Sequence, residues 1–191
     1  MSTKEKDLQS FISERFSPLA FADMPLTEEK IRLLFEAARW APSAFNEQPW
    51  RFIYATKSYP LEYNLLLSFL VEGNRIWAKN APLIGISLTR VNSQYNGKPN
   101  KFAFHDLGLA MGGLLAQATS MGIKVHQMGG FSVEDAREGL LIPKEFEPLA
   151  MFAAGYYGKP DELPEDLRKI ELAERKRKPL SEIVSMGSNF T

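Results

Sequence analysis

Apolar residues recur along this chain in two rhythms. Ile31, Leu34, Phe35 and Ala38 follow three- and four-residue steps behind Thr27, a residue suited to cap a helix whose first positions are Glu28 and Glu29. That helix is predicted to stop before Pro42, because the residue ahead of a proline avoids helical backbone. Leu107, Met111, Leu114, Ala118 and Met121 keep the same rhythm over residues 106–121, the strongest helix of the chain, which Gly122 ends. Asp106 stands at its start and reads as an N-cap. Gly108, Gly112 and Gly113 lie within it. Each costs about 1 kcal/mol against alanine in a helix, so together they point to a backbone or a flat ligand close by. Shorter helices are predicted over residues 6–14, 61–70 and 133–140, with one turn over 74–79. The continuous apolar run 83–88, bounded by Pro82 and Thr89, reads as a buried strand. Residues 51–56, 124–128 and 149–154 read as further strands. Residues 91–101 are polar, with Asn, Gly and Pro, and are expected to form a loop or lid. The result is one α+β domain around a central sheet.

Composition narrows the chemistry. The 191 residues fit one domain, and 45% hydrophobic residues suffice for a full core. Lys and Arg (23) balance Asp and Glu (23), so no global field favours nucleic acid or an anionic membrane. With no cysteine, disulfides, thiolate metal sites and cysteine nucleophiles are excluded, and the two histidines, His105 and His126, do not support a histidine-rich metal site. Neither histidine is given a catalytic role; His126, in an apolar strand, reads as a satisfied core or interface residue. Residues 1–10 carry no apolar leader, and no run is long enough to span a membrane. A cytoplasmic protein is expected. No Gly-x-Gly-x-x-Gly follows a strand and no Walker sequence is present, so a nicotinamide donor would have no Rossmann domain of its own.

Five stretches could carry chemistry, and each has a plain structural reading beside the functional one. The first is Pro42-Ser43-Ala44-Phe45-Asn46-Glu47-Gln48-Pro49-Trp50, a polar turn between a helix and a strand. It could wrap a planar hydrogen-bonding ligand, or simply use Ser43 and Asn46 as turn residues. The second is Arg15-Phe16-Ser17, otherwise a frayed helix end. The third is Arg175-Lys176-Arg177-Lys178, a solvated basic run or an anion site. Alternate residues on an extended segment share one face, so Arg175 and Arg177 can act together. The fourth is Gln127-Met128-Gly129-Gly130, a glycine turn after a strand. The fifth is Asn74, a helix-cap asparagine or a ligand donor.

In their order these stretches resemble the nitroreductase family of flavin enzymes, from Arg15 to Val184. The resemblance implies the α+β nitroreductase fold, with a mostly antiparallel central sheet flanked by helices. It implies an interlocked homodimer with FMN at the subunit interface. One domain covers residues 1–191, with 160–191 as a polar C-terminal arm over the partner subunit. By the same resemblance Arg15, Phe16 (through its backbone), Ser17, Arg175 and Arg177 bind the FMN phosphate. Pro42, Ser43, Ala44, Asn46 and Gln48 line the ring and ribityl chain, and Asn74 meets the pyrimidine. Gln127, Met128, Gly129 and Gly130 form the turn that points a backbone N–H at flavin N5. The flavin carries the chemistry, so no catalytic side chain and no metal are expected. The implied reaction passes a hydride from NADH or NADPH through N5 to a nitroaromatic, quinone or similar small acceptor by a ping-pong mechanism. Two departures stand out: Leu19 and Trp77 occupy positions where relatives often carry cations near the pyrimidine edge. They favour, as alternatives, a relative specialised for enal reduction, dehalogenation or flavin degradation. A non-catalytic FMN-binding module is a further alternative. Residues 91–101, followed by Phe102 and Phe104, are expected to shape the acceptor pocket.

Overall fold

Strand β2 (Leu83–Arg90) is buried at every position except its last, which places it inside a sheet covered on both faces. The computed structural model, which describes residues 8–187, shows why. β2 pairs with β1 (Trp50–Thr56) on one side and with β4 (Phe146–Tyr156) on the other, and β3 (Ile123–Met128) forms the far edge. The order is β1-β2-β4-β3, and every pairing is antiparallel.

Helices cover both faces. On one, α2 (Glu28–Arg39) and α5 (Ala103–Ser120) bury Ile31, Leu34, Leu107 and Leu114 against Leu83, Ile123, Val125 and Phe152. On the other, α3 (Pro60–Ser68), α4 (Glu72–Ala78) and α6 (Val133–Gly139) pack with Ile84, Ile86 and Met151. Thr27 caps α2 as expected, its hydroxyl accepting the Lys30 N–H. The glycines of α5 divide. A Cβ on Gly113 would lie 2.8 Å from the Ala37 carbonyl oxygen, so glycine lets α2 and α5 approach backbone to backbone. Gly108 and Gly112 face open space.

Three expectations shift. First, α5 begins at Ala103, so Asp106 is not its N-cap; it lies inside the first turn and is 2% exposed. The start signal is Asn100, whose side-chain oxygen accepts the Phe102 N–H. Second, the N-terminal helix is only α1 (Ser10–Ser13), and residues 6 and 7 of the expected span lie outside the described residues. Third, the tail is not all surface. Leu163 joins the core ahead of α7 (Glu165–Glu171), whereas residues 172–187 expose Leu180, Ile183, Val184 and Met186. Residues 188–191 of the arm lie outside the described residues.

Candidate functional site

Edge strand β3 organises the first half of the site. Residues 16–18 run beside it: the Phe16 ring meets Lys124 Nζ at 4.7 Å, and the His126 Nδ1–H donates to the Pro18 carbonyl at 2.8 Å. Phe16 also packs edge-on to Tyr157, just past β4. The tail closes over this segment. Arg175 donates to the Arg15 carbonyl at 2.6 Å and to the Ser13 carbonyl at 3.0 Å. Arg15 in turn donates to Ser17 Oγ at 3.1 Å. Burial, then Arg177, then Arg175 lower the Arg15 pKa. Burial also lowers that of Lys124, and Arg175 and Arg15 add to the effect against Glu14. Two ends of the chain thus gather Arg15, Arg175, Arg177 and Lys124, and none of the four forms an ion pair among the described residues. Charges so placed repel one another and fit a polyanion.

The other end of β3 carries the glycine turn. Asn74 Nδ2 donates to the Gly130 carbonyl at 3.1 Å, and the Val71 N–H donates to the same oxygen. A Cβ on Gly130 would stand 2.8 Å from Asn74 Nδ2, so a larger residue here would displace the Asn74 amide. Gly129 faces open space, and neither its N–H nor that of Gly130 finds an acceptor among the described residues. Met128 is buried, and alternation puts the exposed Gln127 side chain on the opposite face from Lys124 and His126. Five residue steps of β3, about 17 Å, separate the glycine turn from the cationic end.

The Pro42–Trp50 turn is built differently. Phe45, Asn46 and Gln48 all adopt left-handed backbone, with φ of 53°, 55° and 49°, and none is glycine. Three anchors hold it. Ser43 Oγ accepts the Gln48 N–H at 2.9 Å. The buried Asp106 carboxylate accepts the Ala44 N–H at 3.0 Å. Glu47 bonds the Ser93 hydroxyl and the Gln94 N–H, tying loop 91–101 to the turn. Phe45, at the apex, is 95% exposed.

The structure does not bring this turn to the other predicted residues within one chain. The turn precedes Trp50, which pairs with Thr89 beside Glu147, whereas the arginine cluster sits beyond Tyr156. Nine steps along β4 are about 30 Å.

A model of the nitroreductase family matches residues 12–156. The chain belongs to the nitroreductase family. Protein DrgA of Synechocystis sp. is 30% identical over 159 residues, 70% of this chain and 75% of that protein. A solved oxidoreductase structure containing FMN matches with a TM-score of 0.91 and 36% identity, over 98% of this chain and 95% of the other. A nitroreductase family protein from Clostridium difficile matches with a TM-score of 0.71 and 26% identity, over 92% and 95%.

For a nitroreductase-family chain the two departures are informative. Leu19 is 7% exposed and Trp77 2%; Trp77 stacks on His126 at 4.6 Å and on Phe21 at 6.2 Å. Both side chains are core. A groove of about 1180 Å³ runs along α2 and β1 past Phe35, Tyr54 and Tyr59, and none of the predicted site residues lines it. Sequence reasoning missed Asp106 as an anchor of the turn, and Glu171, whose carboxylate accepts the Leu19 N–H at 2.6 Å.

His126 gives this region a pH dependence. Burial lowers its pKa from 6.5, outweighing the raising effect of the Pro18 carbonyl. The unfolded chain therefore binds the proton more readily than the folded one. The stabilising contribution is whole above about 6.5 and is lost as pH falls through the lower folded value. His126→Asn should show a shallower fall in thermal midpoint than the parent between pH 7 and pH 5. Parallel curves would show that His126 titrates alike in both states.

Proposed function

We propose that this chain is an FMN-dependent oxidoreductase that draws electrons from NADH or NADPH and delivers them to a small acceptor such as a nitroaromatic or a quinone. The observation that carries the reading is the cluster of Arg15, Arg175, Arg177 and Lys124 beside Ser17, none of them in an ion pair among the described residues. Its chemistry is that of a phosphate site: guanidinium groups offer permanent, paired donors and Ser17 adds a hydroxyl. FMN fits what lies beyond it. The length of β3 is a distance that an extended flavin mononucleotide can bridge, and unused N–H donors wait at the far end. The FMN-containing structure at 36% identity supports the same cofactor.

When bound, FMN supplies a two-electron hydride acceptor at N5 that NAD(P)H and the acceptor use in turn, which is ping-pong chemistry. The chain's own residues hold and orient. Arg15, Ser17, Arg175 and Arg177 take the phosphate. Asn74 spends its amide donor on Gly130 and keeps its carboxamide oxygen for the ring's imide N–H. Gly129 presents an N–H with no side chain in front of it. The strained turn at Ser43–Gln48 supplies the remaining wall, and its distance from the cluster supports its coming from a second subunit. Each homodimer therefore carries two composite sites, with the exposed arm after residue 172 reaching over the partner. The buried, apolar Leu19 and Trp77 favour a second reading, a family member specialised for another flavin reaction, because no cation stands at those places.

One experiment separates these readings. The purified protein's absorbance spectrum is recorded anaerobically before and after NADPH or NADH, with its mass in solution measured alongside. A dimeric yellow protein that bleaches, then recovers with a nitroaromatic or quinone in steady turnover, is expected. A yellow protein that bleaches but gives no turnover with either acceptor class favours the specialised enzyme. One that does not bleach is a binding module. A colourless protein that takes up no FMN overturns the proposal.

A further inference from the structure

Four side chains distant in sequence grip the backbone of residues 13–19, the segment that carries Arg15 and Ser17; one is Lys124, whose Nζ donates to the Glu14 carbonyl at 3.2 Å. Arg175 takes the Ser13 and Arg15 carbonyls, and His126 takes that of Pro18. Glu171 Oε2 accepts the Leu19 N–H at 2.6 Å. Glu171 is the last residue of α7, so it anchors the chain just before Arg175 and Arg177. Two features separate it from an ordinary tie. Its other oxygen, Oε1, is buried without a partner, a costly state that a contact kept only for stability has no reason to retain. And although Arg175 and Arg177 follow it within six residues, Glu171 forms no ion pair among the described residues; it spends its bond on a main-chain N–H. Burial, and then the Glu171 charge, raise the pKa of Tyr157, whose ring packs on Phe16.

We propose that Glu171 is a positioning residue of the phosphate site: it clasps the root of the arginine-bearing tail to Leu19, sets Arg175 and Arg177 against Arg15 and Ser17, and leaves their charge free for a phosphate. This rests on the FMN reading above. The clasp acts only on the phosphate end, so its loss is felt by FMN and not by riboflavin, which has the same ring without the phosphate.

The test titrates the full chain, freed of flavin, with FMN and with riboflavin, following flavin fluorescence. The parent is expected to prefer FMN. Glu171→Leu should lower the FMN-to-riboflavin preference by about tenfold or more, and Glu171→Gln, which keeps an acceptor for the Leu19 N–H, should restore it. Should the leucine variant fail to fold, Glu171→Asp decides: it keeps the charge, loses the reach, and is expected to lose the preference too. An unchanged preference in the leucine or aspartate variant overturns the clasp, as does an equal loss of both ligands, which marks a merely structural residue. A parent that binds neither flavin overturns the FMN reading and the clasp together, so the two failures are told apart by which protein shows them.

Discussion

Replacing Arg175 and Arg177 together by alanine is expected to weaken FMN binding about 10²–10⁴-fold, from two charge-assisted contacts worth about 1.5–3 kcal/mol each. Fluorescence titration of the flavin-free protein reads it directly. The single variants should differ in a way that exposes the logic of the site. Arg175 also holds the Ser13 and Arg15 carbonyls, so Arg175→Ala should lower both flavin affinity and the thermal midpoint. Among the described residues Arg177 donates only to the neighbouring Lys176 carbonyl and otherwise acts on Arg15 as a like charge. Arg177→Ala should therefore weaken FMN while leaving the flavin-free protein as stable as its parent, or more so. Rising salt should narrow the gap between parent and variant, because the lost term is electrostatic and partly exposed. A double variant that keeps parental affinity would place the phosphate elsewhere.

The same residues show how far a sequence carries the structure. Period located α2 and α5, because each has an apolar face over several turns. The continuous apolar run between Pro82 and Thr89 located β2, which is buried on both sides; the other three strands read as shorter runs. The family-like stretches were legible as words, and the fold unites most of them: Arg15 with Arg175, Ser17 and Arg177, and Asn74 with Gly130. What escaped was pairing at long range. Glu171 and Leu19 lie 152 positions apart, and His126 and Pro18 108, so no local pattern could announce either bond. Asp106 escaped for a different reason. An aspartate ahead of an apolar period looks like an N-cap, yet Asn100 had already started the helix upstream, which turned Asp106 inward towards Ala44. The resemblance already implies a site shared between two chain copies; strand register adds that the turn and the arginines stand at opposite ends of one sheet, which supports that proposed division.

Asp106→Ala is expected to lower the thermal midpoint by about 3–12 °C and to abolish most flavin binding. The reasoning starts from strain. Three non-glycine residues of the turn sit in left-handed backbone, at about 1–2 kcal/mol each. A turn that stores this much must be held from outside, and the Asp106 carboxylate is the one anchor that comes from the core, 2% exposed and bonded to the Ala44 N–H at 3.0 Å. Removing a charged acceptor costs about 1.5–3 kcal/mol, and in a chain of this size each kcal/mol moves the midpoint about 2–4 °C. The stability loss has a ceiling, because a released turn can relax its strained residues and regain part of that energy. Flavin binding has no such relief on the proposed reading: a relaxed turn would no longer present Ser43, Asn46 and Gln48 to the flavin. The variant should therefore lose proportionately more FMN affinity than stability, and it should lose riboflavin as well, since the turn serves the ring and not the phosphate. Asp106→Asn, which keeps an oxygen for Ala44 but not its charge, should fall between. If the alanine variant melts lower yet binds both flavins as the parent does, the turn is a structural element and the ring is walled by other residues.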